Sequence, residues 1–187
     1  MQDYNLSTAE TPEFERQLPK ETLHRAVISS VIELGTQTIE WEGNIKQVRQ
    51  VEITYELGEK AIFNPEDGEQ PFLVSKKYTM SMNPKSGMYK VAKAVYSPIP
   101  PHVNPFDLLG KSLMVNVIHK DSNGKMFPRV DSVAPLMEGV EPLTPVRKLE
   151  LALHQDFFDK DVFLSLPEWK QTLIKASPEF KALDMPF

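Results

Sequence analysis

Cysteine is absent from the 187 residues, which removes disulfides, thiolate nucleophiles and cysteine-based zinc sites together and leaves the fold to stand on packing. Long apolar runs are missing too: none approaches the roughly 20 residues that cross a bilayer. The N-terminal MQDYNLSTAETPEFERQLP is acidic and polar, where a secretory signal would be basic and then apolar. The chain therefore reads as soluble and cytoplasmic, with no membrane partner. Histidine is scarce, and His24, His102, His119 and His154 lie far apart with no HExxH or paired spacing, so no metal site is expected. The eight glycines are scattered over turns and compose no GxxxxGK[ST], GxGxxG or GxSxG. Glu66, Asp67 and Glu69, interleaved with Gly68 after Pro65, read as a solvated turn. No catalytic constellation and no cofactor are expected; the chain reads as a binding protein rather than an enzyme.

What is present is charge, unevenly placed. The formal net charge of -5 argues against a histone-like basic protein, yet residues 70–135 carry nine lysines and arginines against three aspartates. The acidic total hides a basic centre between acidic flanks. Lysines on strand edges also keep those edges soluble, so charge alone does not assign a partner.

Three regions follow from composition: a flexible acidic arm over 1–19, a β-rich domain over 20–138 and a helical extension over 139–187. Within the domain, HRAVISSVIEL predicts a first strand over 23–34 that stops at Gly35, with Trp41 in the hairpin loop TIEWEGN. The next segment alternates, Arg49, Val51, Ile53 and Tyr55 on one face against Val48, Gln50, Glu52, Thr54 and Glu56 on the other, predicting a half-buried strand over 45–57. A third strand is expected over 72–82, with a short helix in MYKVAKAVY after it. GKSLMVNVIHK and KMFPRVDSVAPL then make a hairpin around the Asn-Gly of DSNG. Beyond Gly139, Ser165 or Pro167 opens a helix carrying Trp169, Leu173 and Ile174, and Ser177-Pro178 opens another turn. Five strands with a helix between the third and fourth predict a mainly β protein, a five-stranded OB-fold barrel with a helical C-terminal extension.

Binding single strands requires cations for phosphates and aromatic faces for bases. Lys76, Lys77, Tyr78, Lys85, Tyr89, Lys90, Lys93 and Tyr96 interleave the two over about twenty residues, and Lys125, Phe127 and Arg129 repeat the mixture on the fifth strand. Trp41 joins them as a stacking candidate because a loop tip between two glutamates is a poor place to bury a ring, although those glutamates would repel phosphate. Tyr78 and Phe127 could equally face the core, and Tyr89 with Tyr96 could merely seat the helix.

Two stretches carry a family resemblance. The terminal LDMPF resembles the tip of bacterial single-stranded-DNA-binding proteins, a docking peptide for replication, recombination and repair enzymes. By that resemblance Asp184, Met185, Pro186 and Phe187 would bind a partner, Phe187 filling an apolar pocket and Pro186 limiting the entropy lost. In that family the tip follows a long acidic tail, whereas here Phe180, Ala182 and Leu183 read as helical. Residues 24–180, through IELGTQT, SKKYTMSMNPKSGMYK, FDLLGKSLMVNVIHK and SLPEWKQTLIKASPEF, resemble phage-encoded OB-fold single-stranded-DNA-binding proteins. That resemblance implies sequence-independent binding of single-stranded DNA in phage replication or recombination, in the host cytoplasm and without a cofactor. The alternative is a protein-interaction scaffold in which Trp169, Phe180 and Phe187 engage a partner or a second copy of the chain.

Overall fold

The computed structural model describes residues 17–41 and 43–183, the Trp41 side chain excepted. Most of the expected acidic arm and the whole Asp184, Met185, Pro186 and Phe187 tip lie outside the described residues. The chain runs β1 (Leu23–Trp41), β2 (Asn44–Ile62), β3 (Glu69–Thr79), α1 (Gly87–Val95), a 3₁₀ turn (Pro105–Leu108), β4 (Ser112–Ser122), β5 (Lys125–Ala134), β6 (Leu149–Leu151), then α2 (Lys160–Ser165), α3 (Glu168–Lys175) and α4 (Pro178–Lys181). No helix among the described residues is long and apolar enough to cross a membrane.

The strands form one mainly antiparallel sheet in the order β3-β2-β1-β4-β5, with β6 added parallel to β1. Alternation sets the faces as read from the sequence: Val51, Ile53, Tyr55 and Leu57 of β2 are buried. They meet Ile28 and Val31 of β1, Phe72 and Val74 of β3, Val115 and Val117 of β4 and Met88 and Val91 of α1 in one core. Each such aliphatic side chain contributes roughly 1.5–3 kcal/mol on burial. The β4–β5 turn forms on Asn123 and Gly124, both at positive φ (55° and 75°), as the Asn-Gly pair dictates. Among the described residues no ladder joins β3 to β5; those two edges face each other across a seam.

β1 departs from expectation. It does not stop at Gly35 but continues to Trp41, which pairs with Asn44, so Trp41 belongs to a strand end and not to a loop. The register shifts between Glu33 and Gly35, and Gly35 takes φ +72°, a bulge that bends the strand without ending it. A Cβ there would overlap Ser177, the residue that caps α4. Glycine at 35 therefore marks a docking point.

The extension is part of the fold. Ile32 and Leu34 of β1 share a second core with Leu151, Leu153, Phe163, Leu166, Ile174 and Phe180. Phe180, expected to engage a partner under the scaffold reading, is buried there. Carboxylates of β1 and β2 hold the segment down, Glu52 and Glu56 from the outer face and Glu33 from the inner one, opposite Val51. Glu33 accepts from the Leu153 amide at 2.9 Å, Glu56 from the Val146 amide at 3.0 Å, and buried Glu52 pairs with the Lys170 ammonium. From the other side Glu179 accepts from the Thr36 amide at 2.7 Å and hydroxyl at 2.6 Å.

Candidate nucleic-acid interface

The β3–β5 seam is rich in cations, and its chemistry begins with Lys76. Alternation puts Lys76 on the inner face of β3, opposite Ile53 and two residues from buried Val74 and Tyr78. Its ammonium donates to the Val130 carbonyl at 2.9 Å and the Asp131 carbonyl at 3.1 Å, bridging the two edges where no ladder forms. Burial pulls its pKa below the ordinary lysine value; Asp131 opposes this, and Lys90 and Lys120 add to it from either side of the seam. Lys76 thus fastens the seam, and its expected role as a free phosphate ligand is corrected accordingly.

Tyr78 is corrected too. Its ring is 5% exposed and its hydroxyl shares a 2.8 Å hydrogen bond with Tyr55 in the core, so it offers no face to a base. Burial pushes its pKa up to about 12 against the bond to Tyr55, and burial, with Tyr78 adding to it, holds Tyr55 well above its ordinary value. The ring also sets the approach of α1: a Cβ at Gly87 would lie 2.9 Å from it.

On one side of the seam, α1 and β5 enclose a groove of about 670 Å³. Ser86 caps the helix, its hydroxyl accepting from the Tyr89 amide at 3.1 Å, and Met88, Val91 and Ala92 turn inward. Lys90 and Lys93 are left exposed beside half-buried Tyr89 and Tyr96, and all four line the groove. Burial raises the Tyr96 pKa, with Asp107 adding to it.

On the other side lies a cleft of about 740 Å³ between β3, β5 and α3. Lys77, exposed on β3 and opposite Glu52, faces Lys120 and Arg129 across it. Trp169 and Lys170 of α3 form the third wall. The Trp169 ring is 57% exposed, with the ammoniums of Lys77 and Lys170 at 5.4 and 5.3 Å from its centre. Lys76, Val130 and Asp131 line groove and cleft alike, so the Lys76 bridge is the wall the two share. Together they present seven cations, at 76, 77, 90, 93, 120, 129 and 170, against the carboxylates of Glu52 and Asp131.

Of the residues expected from sequence, Lys76, Lys77, Tyr89, Lys90, Lys93, Tyr96 and Arg129 meet at this seam. Phe127 lies opposite Lys120 on β5, half-buried, 5.8 Å from the Arg129 guanidinium, and continues the cleft's outer strand face. Lys85, in the turn before α1, and Lys125, at the β4–β5 turn, are exposed but line neither cavity. Trp41 has no described side chain. Sequence reasoning missed Lys120, Trp169 and Lys170 as members of one site. The neighbouring Trp and Lys in LPEWKQT were the available signal, masked by the acidic balance of the surrounding segment.

Among the described residues no group of three or more histidines, aspartates or glutamates is gathered as for a metal ion. His24 and His119 hold the chain's entry to β1, their Nε2 hydrogens donating to the carbonyls of Lys20 (2.8 Å) and Pro19 (2.7 Å). No protein-family model matches the chain, and no curated protein matches its sequence.

Proposed function

We propose that the protein is a sequence-independent single-stranded-DNA-binding protein that coats or presents the strand and carries out no turnover. The observation that carries the reading is the seam itself: besides Lys76 and Lys170, which are engaged within the fold, an acidic protein gathers Lys77, Lys90, Lys93, Lys120 and Arg129 with exposed or half-buried rings on the two sides of one seam. Cations spaced along a groove suit a phosphate backbone, and rings beside them suit unpaired bases, which stack irrespective of sequence.

The strand order supports an OB-fold assignment, because in that partly open barrel the first strand pairs with the second and fourth, and the third and fifth face each other. Here the Lys76 bridge stands at that junction. The LDMPF end, by its resemblance, adds a docking peptide for enzymes of phage replication or recombination.

The test is fluorescence anisotropy of a labelled thirty-nucleotide oligo-dT beside the matching duplex at two salt concentrations. Binding confined to the single strand and weakened steeply by salt is the expected result. Equal affinity for the duplex would remove the stacking half of the reading, and no binding at low salt would overturn it.

A further inference from the structure

We propose that Trp169 is a base-stacking platform, so that the C-terminal extension forms one wall of the DNA site and adds to its preference for unpaired strands. The inference rests on the single-strand reading and adds to it a residue outside the β domain.

The extension leaves Val146, Phe157, Leu164 and Trp169 exposed, and of these four only Trp169 lines the cationic cleft. Phe163, Leu166, Ile174 and Phe180 all go into the second core, yet its largest ring stays outside. That ring is held in place by the helix beneath it. Ile174 is fully buried, the Gln171 side chain donates from Nε2 to the Leu166 carbonyl at 2.8 Å, and Lys170, the residue after Trp169, is tied to buried Glu52 on β2. A platform fixed by its own helix loses little entropy when a base settles on it.

The surroundings select the occupant. Lys77, Lys120 and Arg129 line the cleft with Trp169, and an apolar peptide docking there would strip water from cations it could not pair. A nucleotide brings the missing anion with it: the base takes the ring and the adjoining phosphate takes Lys77, Lys120 or Arg129. Bases inside a duplex are already stacked and cannot reach the ring, whereas the lysines serve either form. Trp169 therefore adds to the discrimination between single and double strands.

The chain has two tryptophans, so Trp41→Phe leaves Trp169 as the sole tryptophan to be excited selectively over the tyrosines. Titrating oligo-dT into that variant should quench its fluorescence in step with anisotropy. Trp169→Ala should lose about tenfold in oligo-dT affinity, in line with one stacked base, keep its duplex affinity, and bind an abasic strand of the same length as wild type does. Trp169→Phe should recover part of the loss. The ring is exposed, so thermal melts should coincide. If Trp169→Ala binds oligo-dT like wild type and the Trp41→Phe signal stays flat, the platform is overturned while the coating function stands. If wild type binds no oligo-dT, both fall.

Discussion

The ammonium of Lys76 lies 2.9 Å from the main-chain oxygen of Val130 and donates to it, joining β3 to β5 by a side chain where a sheet would use its backbone. One lysine thereby separates the stability of the seam from its charge. Lys76→Met should keep the length of the side chain and remove both hydrogen bonds to the β5 carbonyls, at a cost of about 1–3 kcal/mol in urea unfolding. Lys77→Met, beside it on the exposed face, should leave stability within about 0.5 kcal/mol and weaken DNA binding instead. Equal stability of the two variants would deny the bridge.

Salt dependence measures the cleft. Under the single-strand reading, replacing Lys120 and Arg129 by glutamine removes two of the proposed phosphate partners, and the log–log slope of affinity against salt should become shallower by about 0.7 for each phosphate left unneutralised. The same change at Lys125, which lines neither cavity, should move the slope less. A slope indifferent to Lys120 and Arg129 would place the DNA elsewhere.

Alkali should unfold the core through its tyrosine pair. Tyr55 and Tyr78 both have native pKa values raised above the unfolded value near 10, Tyr78 to about 12. The unfolded state therefore releases these protons first. The stability they contribute is complete below pH 10 and is lost as pH rises toward 12. Absorbance at 295 nm and circular dichroism should show the two phenols ionising together with loss of structure. Replacing both by phenylalanine should remove that portion of the alkaline transition.

The α4 docking point is sensitive to one methyl group. Gly35→Ala places a Cβ into Ser177 and asks alanine to hold φ +72°, so it should cost more than about 1 kcal/mol and loosen α4 first. Hydrogen exchange at the Thr36 amide, which donates to Glu179, should report the loosening. Unchanged exchange there would show that the bulge and the helix are independent.

Much of the sheet was legible because alternation is a local signal. The buried face of β2 and the Asn-Gly turn of the last hairpin stand in the sequence as they stand in the fold. What local pattern could not supply was the partner of each side chain. Lys76 and Lys77 are neighbours of the same type, yet one faces in and bridges two edges while the other faces the cleft. Tyr78 looks like a stacking residue until Tyr55, 23 positions earlier, claims its hydroxyl. Gly35 reads as a stop because glycines end strands, whereas here it accommodates a helix cap from 142 positions away. Trp169 was visible as a ring on a helix, but its place beside Lys77 depends on how α3 crosses the sheet.

The carboxylates that hold the extension also fix an order of events. Glu52, Glu56 and the second oxygen of Glu33 sit in the first third of the chain, and the groups that satisfy them lie 118, 90 and 120 positions further on. On a ribosome the β1–β2 hairpin emerges long before those groups exist, and its outer face must stay hydrated until they arrive. Non-local pairing of this kind slows folding and leaves incomplete chains exposed. A polypeptide cut short before Val146 therefore retains Glu52 and Glu56 on a face meant to be covered and Glu33 without the Leu153 amide, and quality-control proteases would meet it as an open sheet.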